Sequence, residues 1–183
     1  MRKNITVEFT NERIIPSGGL AVVGAILGKN DFVKHCNRMK VDCNHPQHQI
    51  KNGDIMLTYI GMQCMGKPSF EAVHEMDDDP DFYKDALGIC YAIPSSETLR
   101  QRFDLIGSSI RRQVLDENIH MLKSNGIVPS KLPCGYVPVD MDVSPFDNSK
   151  TSKEGVSRTY KGCDGYAPMF AYIGREGYLA NLE

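Results

Sequence analysis

No apolar run in the 183 residues approaches the roughly 18 that a membrane-crossing helix needs. The longest candidates, Leu20 to Leu27 and Ile55 to Met65, are short and interrupted by Gly24, Thr58, Gly61 and Gln63. The N-terminus lacks the apolar core of an export signal; its Ile5 and Val7 alternate as they would in a strand. A cytoplasmic protein without membrane partners is expected. An excess of charge of either sign is also missing: 21 basic residues face 23 acidic ones, a net −2. That balance argues against bulk attraction to nucleic acid but leaves room for a local basic face, because the field that matters is that of the patch. Low-complexity segments and internal repeats are absent too. What remains, 41% hydrophobic and 24% charged residues, is the composition of a globular chain. Six cysteines without an export signal read as reduced thiols, since a chain of this length builds a core without disulfide staples.

The chain changes character near residue 130. Before it, apolar residues recur at helical spacing. Ser17 is a candidate cap for a helix through Leu20, Val23 and Leu27, and Asp54 for a second with Met56, Leu57, Ile60 and Met65 inward. Ser69 opens a short third segment. Asp79-Pro80 is a cap followed by the favoured first-turn proline, and Gly88 is the natural stop. The clearest stripe, Leu99, Phe103, Ile106, Ile110 and Val114, is extended by Ile119 and Leu122 and ended by Gly126, with Gly107 as a candidate division.

From Tyr136 the period falls to 2. Val137, Val139, Met141 and Val143 share one face; Tyr136, Pro138, Asp140, Asp142 and Ser144 share the other. Strands are expected again at 167–173 and 178–182, joined by Gly174-Arg175-Glu176-Gly177 as a four-residue hairpin loop. Three consecutive strands over 136–182 are the expectation.

Two carboxylates two apart on a strand project from one face, with their apolar neighbours expected to pack behind them, and their mutual repulsion calls for a cation; hard oxygen ligands of this kind suit Mg²⁺ or Mn²⁺. The plainer alternative is an edge strand kept soluble by its acids, which Pro138 favours because proline lacks a ladder donor.

The wider context adds to this. The run 137–148, Val-Pro-Val-Asp-Met-Asp-Val-Ser-Pro-Phe-Asp-Asn, is followed by Lys153-Glu154-Gly155-Val156 and by the Gly-Tyr-rich stretch 160–172. This order resembles the start of the catalytic domain of DDE-type insertion-sequence transposases, in the subgroup with an Asp-x-Asp-x-Ser/Thr first strand. Ser17-Gly18-Gly19-Leu20 and the segment 93–103 resemble the family's N-terminal half. The resemblance implies an α+β chain: a mainly helical DNA-binding region, 1–130, followed at 131–183 by the first strands of an RNase-H-like (α/β) catalytic domain. It implies Asp142 as the first catalytic aspartate and Mg²⁺ or Mn²⁺ ligand, with Asp140 as the alternative or as its helper. It implies metal-dependent cleavage and transfer of phosphodiester bonds at transposon ends, with double-stranded DNA as partner, a homodimer or an intact transposase as further partner, and a nucleoid-associated location. The family's second aspartate and its glutamate lie downstream of the hairpin, so the resemblance also implies a truncated catalytic domain that is inactive alone.

The segment 80–106 has the layout of a helix-turn-helix. Its second helix, beginning at Ser95, is expected to present Ser95, Ser96, Thr98, Arg100, Gln101 and Arg102 outward to phosphates and base edges, with Arg111 and Arg112 extending the basic surface. The alternative is an ordinary solvated helix face. Finally, His35, Cys36, Cys43, His45 and His48 cluster in the manner of zinc ligands, although the close cysteine pair of common zinc motifs is missing. Two other function classes therefore stand beside the transposase: a non-catalytic DNA-binding module or inhibitor derived from one, and a zinc-binding interaction module.

Overall fold

The computed structural model describes Asn11, Ile15, residues 17–38 and residues 49–183, with the side chains of Ser108 and Ser109 excepted. It is mixed α+β, with five α-helices and six short strands among the described residues. The chain divides into two compact units. The described residues of Met1–Val33 and Gln47–Arg100 form the first; those of Lys34–Pro46 and Gln101–Glu183 form the second. The change from helix to strand falls between Ser124 and Val139, whereas the compact units part within one helix.

The first unit holds α1 (Leu20–Lys29), the start of α2 (Phe32–Arg38), α3 (Asn52–Cys64), a 3-10 helix (Phe70–Met76), α4 (Pro80–Leu87) and the start of α5 (Ser96–Ser124). Its core is drawn from Ile55, Leu57, Met62, Met76, Leu87 and Leu99, each almost wholly shielded from solvent. The α4 boundaries follow from local chemistry. The Asp79 carboxylate accepts the Phe82 N–H at 3.4 Å, Pro80 opens the first turn, and Gly88, at φ 77°, lets its own N–H and that of Ile89 both reach the Lys84 carbonyl at 2.9 Å.

Two caps expected from the sequence are corrected. α1 has Gly19 at its N-cap with no side-chain cap bond; the Ser17 hydroxyl instead donates to Met65 Sδ at 3.3 Å and accepts from the Tyr83 hydroxyl at 3.3 Å. Asp54 lies inside α3, which begins at Asn52. Its carboxylate is buried and accepts the backbone N–H of Cys90 at 2.9 Å and of Tyr91 at 3.0 Å. A carboxylate with three-dimensional partners outside its own helix cannot be told from a cap by spacing alone.

Gly24 explains how closely α1 approaches α4. A Cβ at this position would stand 1.9 Å from the Ala86 carbonyl oxygen and 2.9 Å from its carbon. Gly24→Ala is therefore expected to destabilise the protein. Alanine gains about 1 kcal/mol of helix propensity, but overpacking against backbone that cannot rotate away costs about 3 kcal/mol or more. A urea-unfolding midpoint unchanged or raised by the substitution would contradict this packing.

The second unit contains the rest of α5 and all the strands. α5 is one continuous helix through Gly107, so that glycine does not divide it. Burial of Ile106 and Ile110 on either side offsets the roughly 1 kcal/mol that a mid-helix glycine costs. β1 (Val139–Val143), β5 (Met169–Ile173) and β6 (Tyr178–Leu182) form an antiparallel sheet in the order β1-β5-β6. The expected hairpin is present: Ile173 pairs with Tyr178, and Gly174 and Gly177 take φ of 80° and 72°. The three strands are not consecutive, however. A second sheet, of order β2-β4-β3, is built from β2 (Phe146–Asp147), β3 (Ser157–Arg158) and β4 (Asp164–Tyr166) and intervenes between β1 and β5. Its strands are two or three residues long, too short for periodicity to reveal.

No helix among the described residues is long and apolar enough to cross a membrane.

Candidate functional site

β1 places Asp140 and Asp142 on one face and Val139, Met141 and Val143 on the other, as strand alternation requires. In the register with β5, Asp140 stands opposite Tyr172 and Asp142 opposite Phe170. Those two rings stack nearly parallel, with centroids 6.1 Å apart and an interplanar angle of 10°. Both aspartates are exposed, and Ser144 Oγ donates to Asp142 Oδ2 at 2.9 Å. A hydroxyl that fixes one carboxylate rotamer leaves the second oxygen available for a cation. The apolar side of the strand does not pack behind the acids as the alternation suggested: Val139 is 59% exposed and Met141 67%. Alternation reveals which residues share a face, not whether anything covers it.

The outer edge of β6 is met by α5. Arg111 donates to the Leu182 carbonyl and Asn118 to the Leu179 carbonyl, each at 2.7 Å, answering backbone acceptors that a sheet edge otherwise leaves bare.

The candidate DNA-contacting residues are placed less favourably than the sequence suggests. Ser95 caps α5, with its Oγ 3.2 Å from the Thr98 N–H and 2.9 Å from Thr98 Oγ1, so Thr98 is engaged in helix initiation. Ser96 is half-buried and Gln101 exposed. Arg102, expected on the outer face, is buried at 7% exposure, which corrects that expectation. The Leu99–Phe103–Ile106 stripe implied a narrower buried arc than α5 has. Arg100 is paired with Glu71 and with Glu97, the latter at 3.0 Å. Hydrogen bonds from Ser69, its own backbone environment and Arg100 hold the Glu71 carboxyl down at about 2. Arg112 lies 3.3 Å from Asp116. Of the eight residues the sequence nominates, the four arginines are thus buried, ion-paired or bound to a carbonyl. A sequence reading of side-chain type does not show these partners, because Glu71 and Leu182 are distant in the chain.

The zinc cluster suggested by the sequence is only partly within the described residues; Cys43, His45 and His48 lie outside them. Cys36 is fully buried, and burial, aided by the neighbouring Glu117 charge, pushes its thiol up to about 12, so it is neither thiolate nor nucleophile near neutral pH. His35, by contrast, meets two residues of α5. His35 Nδ1 is 2.8 Å from Glu117 Oε1, and its ring packs edge-on against His120 with centroids 5.0 Å apart. One ligand atom from each of His35, Glu117 and His120 falls within 4.8 Å of the others. The signal that could have revealed them is Glu117-x-x-His120: three residues apart on a helix puts both side chains on one face.

The carboxylates of Asp140 and Asp142 belong to no such group; among the described residues, no third histidine, cysteine, aspartate or glutamate completes a metal-holding set with them. Comparison with known proteins returned no matching family model, no matching curated protein and no matching solved structure.

Proposed function

We propose that this chain supplies the DNA-end-binding region and the first catalytic strand of a DDE-type transposase. Its substrate class is double-stranded DNA, and its reaction class is metal-dependent phosphodiester cleavage and strand transfer. The observation that carries the reading is β1: two aspartates on one face of a strand that heads an antiparallel β1-β5-β6 sheet, with the hairpin where the family resemblance calls for it. Such a meander is compatible with the opening strands of an RNase-H-like fold. In that reading Asp142, oriented by Ser144, and Asp140 beside it hold a Mg²⁺ or Mn²⁺ ion against a DNA phosphate, where the metal activates the attacking oxygen or stabilises the leaving one.

The helical half supports DNA binding through layout more than through charge. α4 and the start of α5 follow one another in the order of a helix-turn-helix, with eight residues, 88–95, between them where the compact motif has three or four. Contact would fall to exposed Gln101 and to Arg100 and Arg112, whose acidic partners at the surface hold them only weakly. A non-catalytic DNA-binding module is the second reading. It is favoured because, among the described residues, no third metal-ligating side chain joins Asp140 and Asp142.

The test is binding of the full chain to duplexes taken from the DNA that flanks its own gene, where the reading expects terminal repeats. A preference of about tenfold or more over a scrambled duplex is expected, and Arg100→Ala combined with Gln101→Ala should remove most of it. Where Arg100 neutralises a phosphate, its replacement should also lower the salt slope by about one. Equal affinity for both duplexes across salt concentrations would defeat the DNA-end reading.

A further inference from the structure

We propose that His35, Glu117 and His120 form a binding site for one divalent transition-metal ion of the zinc class, with a fourth position open to water.

The donor set comes first. Two imidazole nitrogens and one carboxylate oxygen suit Zn²⁺ and its borderline neighbours, and three protein ligands with one vacancy is the arrangement of zinc sites that keep an open position. The same set does not suit Mg²⁺, which prefers near-octahedral oxygen coordination. The site is therefore chemically distinct from the carboxylate pair on β1.

Geometry then brings the donors together. Glu117 and His120 stand three residues apart on α5, on one helical face, and His35 comes from α2, 82 residues from Glu117 in sequence. All three belong to the second compact unit. Their ligand atoms already lie within 4.8 Å of one another. A tetrahedral ion with bonds near 2.0–2.1 Å separates its ligand atoms by roughly 3.4 Å. The required adjustment is thus a matter of side-chain rotation, in which the ion takes the place of the proton now shared between His35 and Glu117.

The surroundings favour a cation. Glu117 has a side chain only 10% exposed, so its charge is poorly screened by water. A cavity of about 420 Å³ beside the three residues gives an entry path and room for a water ligand. Asp116 and Arg38 also line it, and Arg112 lies 3.3 Å from Asp116, so the negative charge facing the three donors is that of Glu117. An ordinary histidine–glutamate hydrogen bond accounts for His35 and Glu117 but gives no role to His120, whose ring stands edge-on to His35 at 77° with a nitrogen within 4.8 Å of the ligand atoms of both. A bound ion would tie α2 to α5 and so contribute directly to the folded state of this unit.

The experiment uses the full chain and Zn²⁺ alone, titrated against a competing chelator. One equivalent should bind, and His120→Ala, Glu117→Gln and His35→Ala should each weaken binding by at least about 10–100-fold, the loss that even an outer-shell partner of a metal produces. His120 is exposed, so its replacement leaves the packing of α5 intact and keeps the test open if the other variants misfold. A variant with Cys43→Ser, His45→Ala and His48→Ala together should retain binding. Co²⁺ in the site should show tetrahedral ligand-field bands without a thiolate charge-transfer band. The proposal is overturned if the unmodified chain binds no Zn²⁺, if His120→Ala binds as tightly as the original, or if Co²⁺ reports a thiolate ligand. It is also overturned if the triple variant alone abolishes binding. None of these outcomes depends on DNA binding or cleavage.

Discussion

Asp54→Ala is expected to cost the helical unit about 3–5 kcal/mol, a large share of the roughly 5–15 kcal/mol that keeps a protein folded. The Asp54 carboxylate is 1% exposed and accepts two backbone N–H groups, from Cys90 and Tyr91. A hydrogen bond to a charged acceptor is worth about 1.5–3 kcal/mol net. Removing both at once leaves two donors short of a partner and a hollow where the side chain stood. Cys90 and Tyr91 are themselves exposed, so water can reach the orphaned N–H groups and keep the loss toward the lower end of that range. Asp54→Asn separates the two contributions. It preserves one oxygen acceptor but turns an amide N–H₂ toward the second donor, so its effect should fall between that of alanine and the original. Because Asp54 holds the turn between Leu87 and Ser96, the alanine variant should also lose any DNA affinity that depends on the spacing of α4 and α5. Chemical denaturation of the three proteins would measure the series. An alanine variant within about 0.5 kcal/mol of the original would show that these bonds contribute little to the fold.

The second large effect is an absence of activity. Incubated with transposon-end DNA and either Mg²⁺ or Mn²⁺, the 183-residue chain alone is expected to yield no cleaved or joined product. Each Mg²⁺ takes near-octahedral oxygen coordination, and a two-metal centre holds its ions roughly 3.5–4 Å apart around one phosphate. Asp140 and Asp142 approach from a single strand, and among the described residues no further carboxylate or imidazole joins them. One strand can supply one wall of such a centre but not the opposite one. Mn²⁺ should still bind weakly beside β1, seen as selective broadening of resonances from Asp142 and its neighbours Ser144 and Phe170. Asp142→Asn should remove that broadening. Cleavage by the isolated chain that disappears with Asp142→Ala would show that the β1 carboxylates suffice.

The two halves of the molecule differ in how much of them could be read in advance. Local chemistry is visible in one dimension. Asp79-Pro80 and Gly88 bound α4, Ser95 begins α5, and Gly174 to Gly177 turn the β5–β6 hairpin, because each uses partners within a few residues. The period-2 run likewise put Asp140 and Asp142 on one face without any knowledge of what lies beside them.

Other features exist only because distant segments meet. Asp54 has the residue type and position of a cap, yet its partners are 36 and 37 residues away. Arg102 looks like a surface cation and is buried, and Arg100 and Arg111 find Glu71 and the Leu182 carbonyl across 29 and 71 residues. Val139 and Met141 have the pattern of core residues and remain exposed, since alternation sets direction but not cover. The group of His35, Glu117 and His120 shows the same division. The three-residue step on α5 was legible, while the third donor depended on α2 bringing His35 to within 2.8 Å of Glu117. Sequence alone determined the bounds of α4, the apolar stripe of α5, the extended run of β1 and the β5–β6 turn, because those choices rest on short-range sterics and hydrogen bonding. Tertiary structure decided which charges are engaged by neighbours and which remain to act, because that depends on contacts that close long loops and leave no periodic trace in the chain.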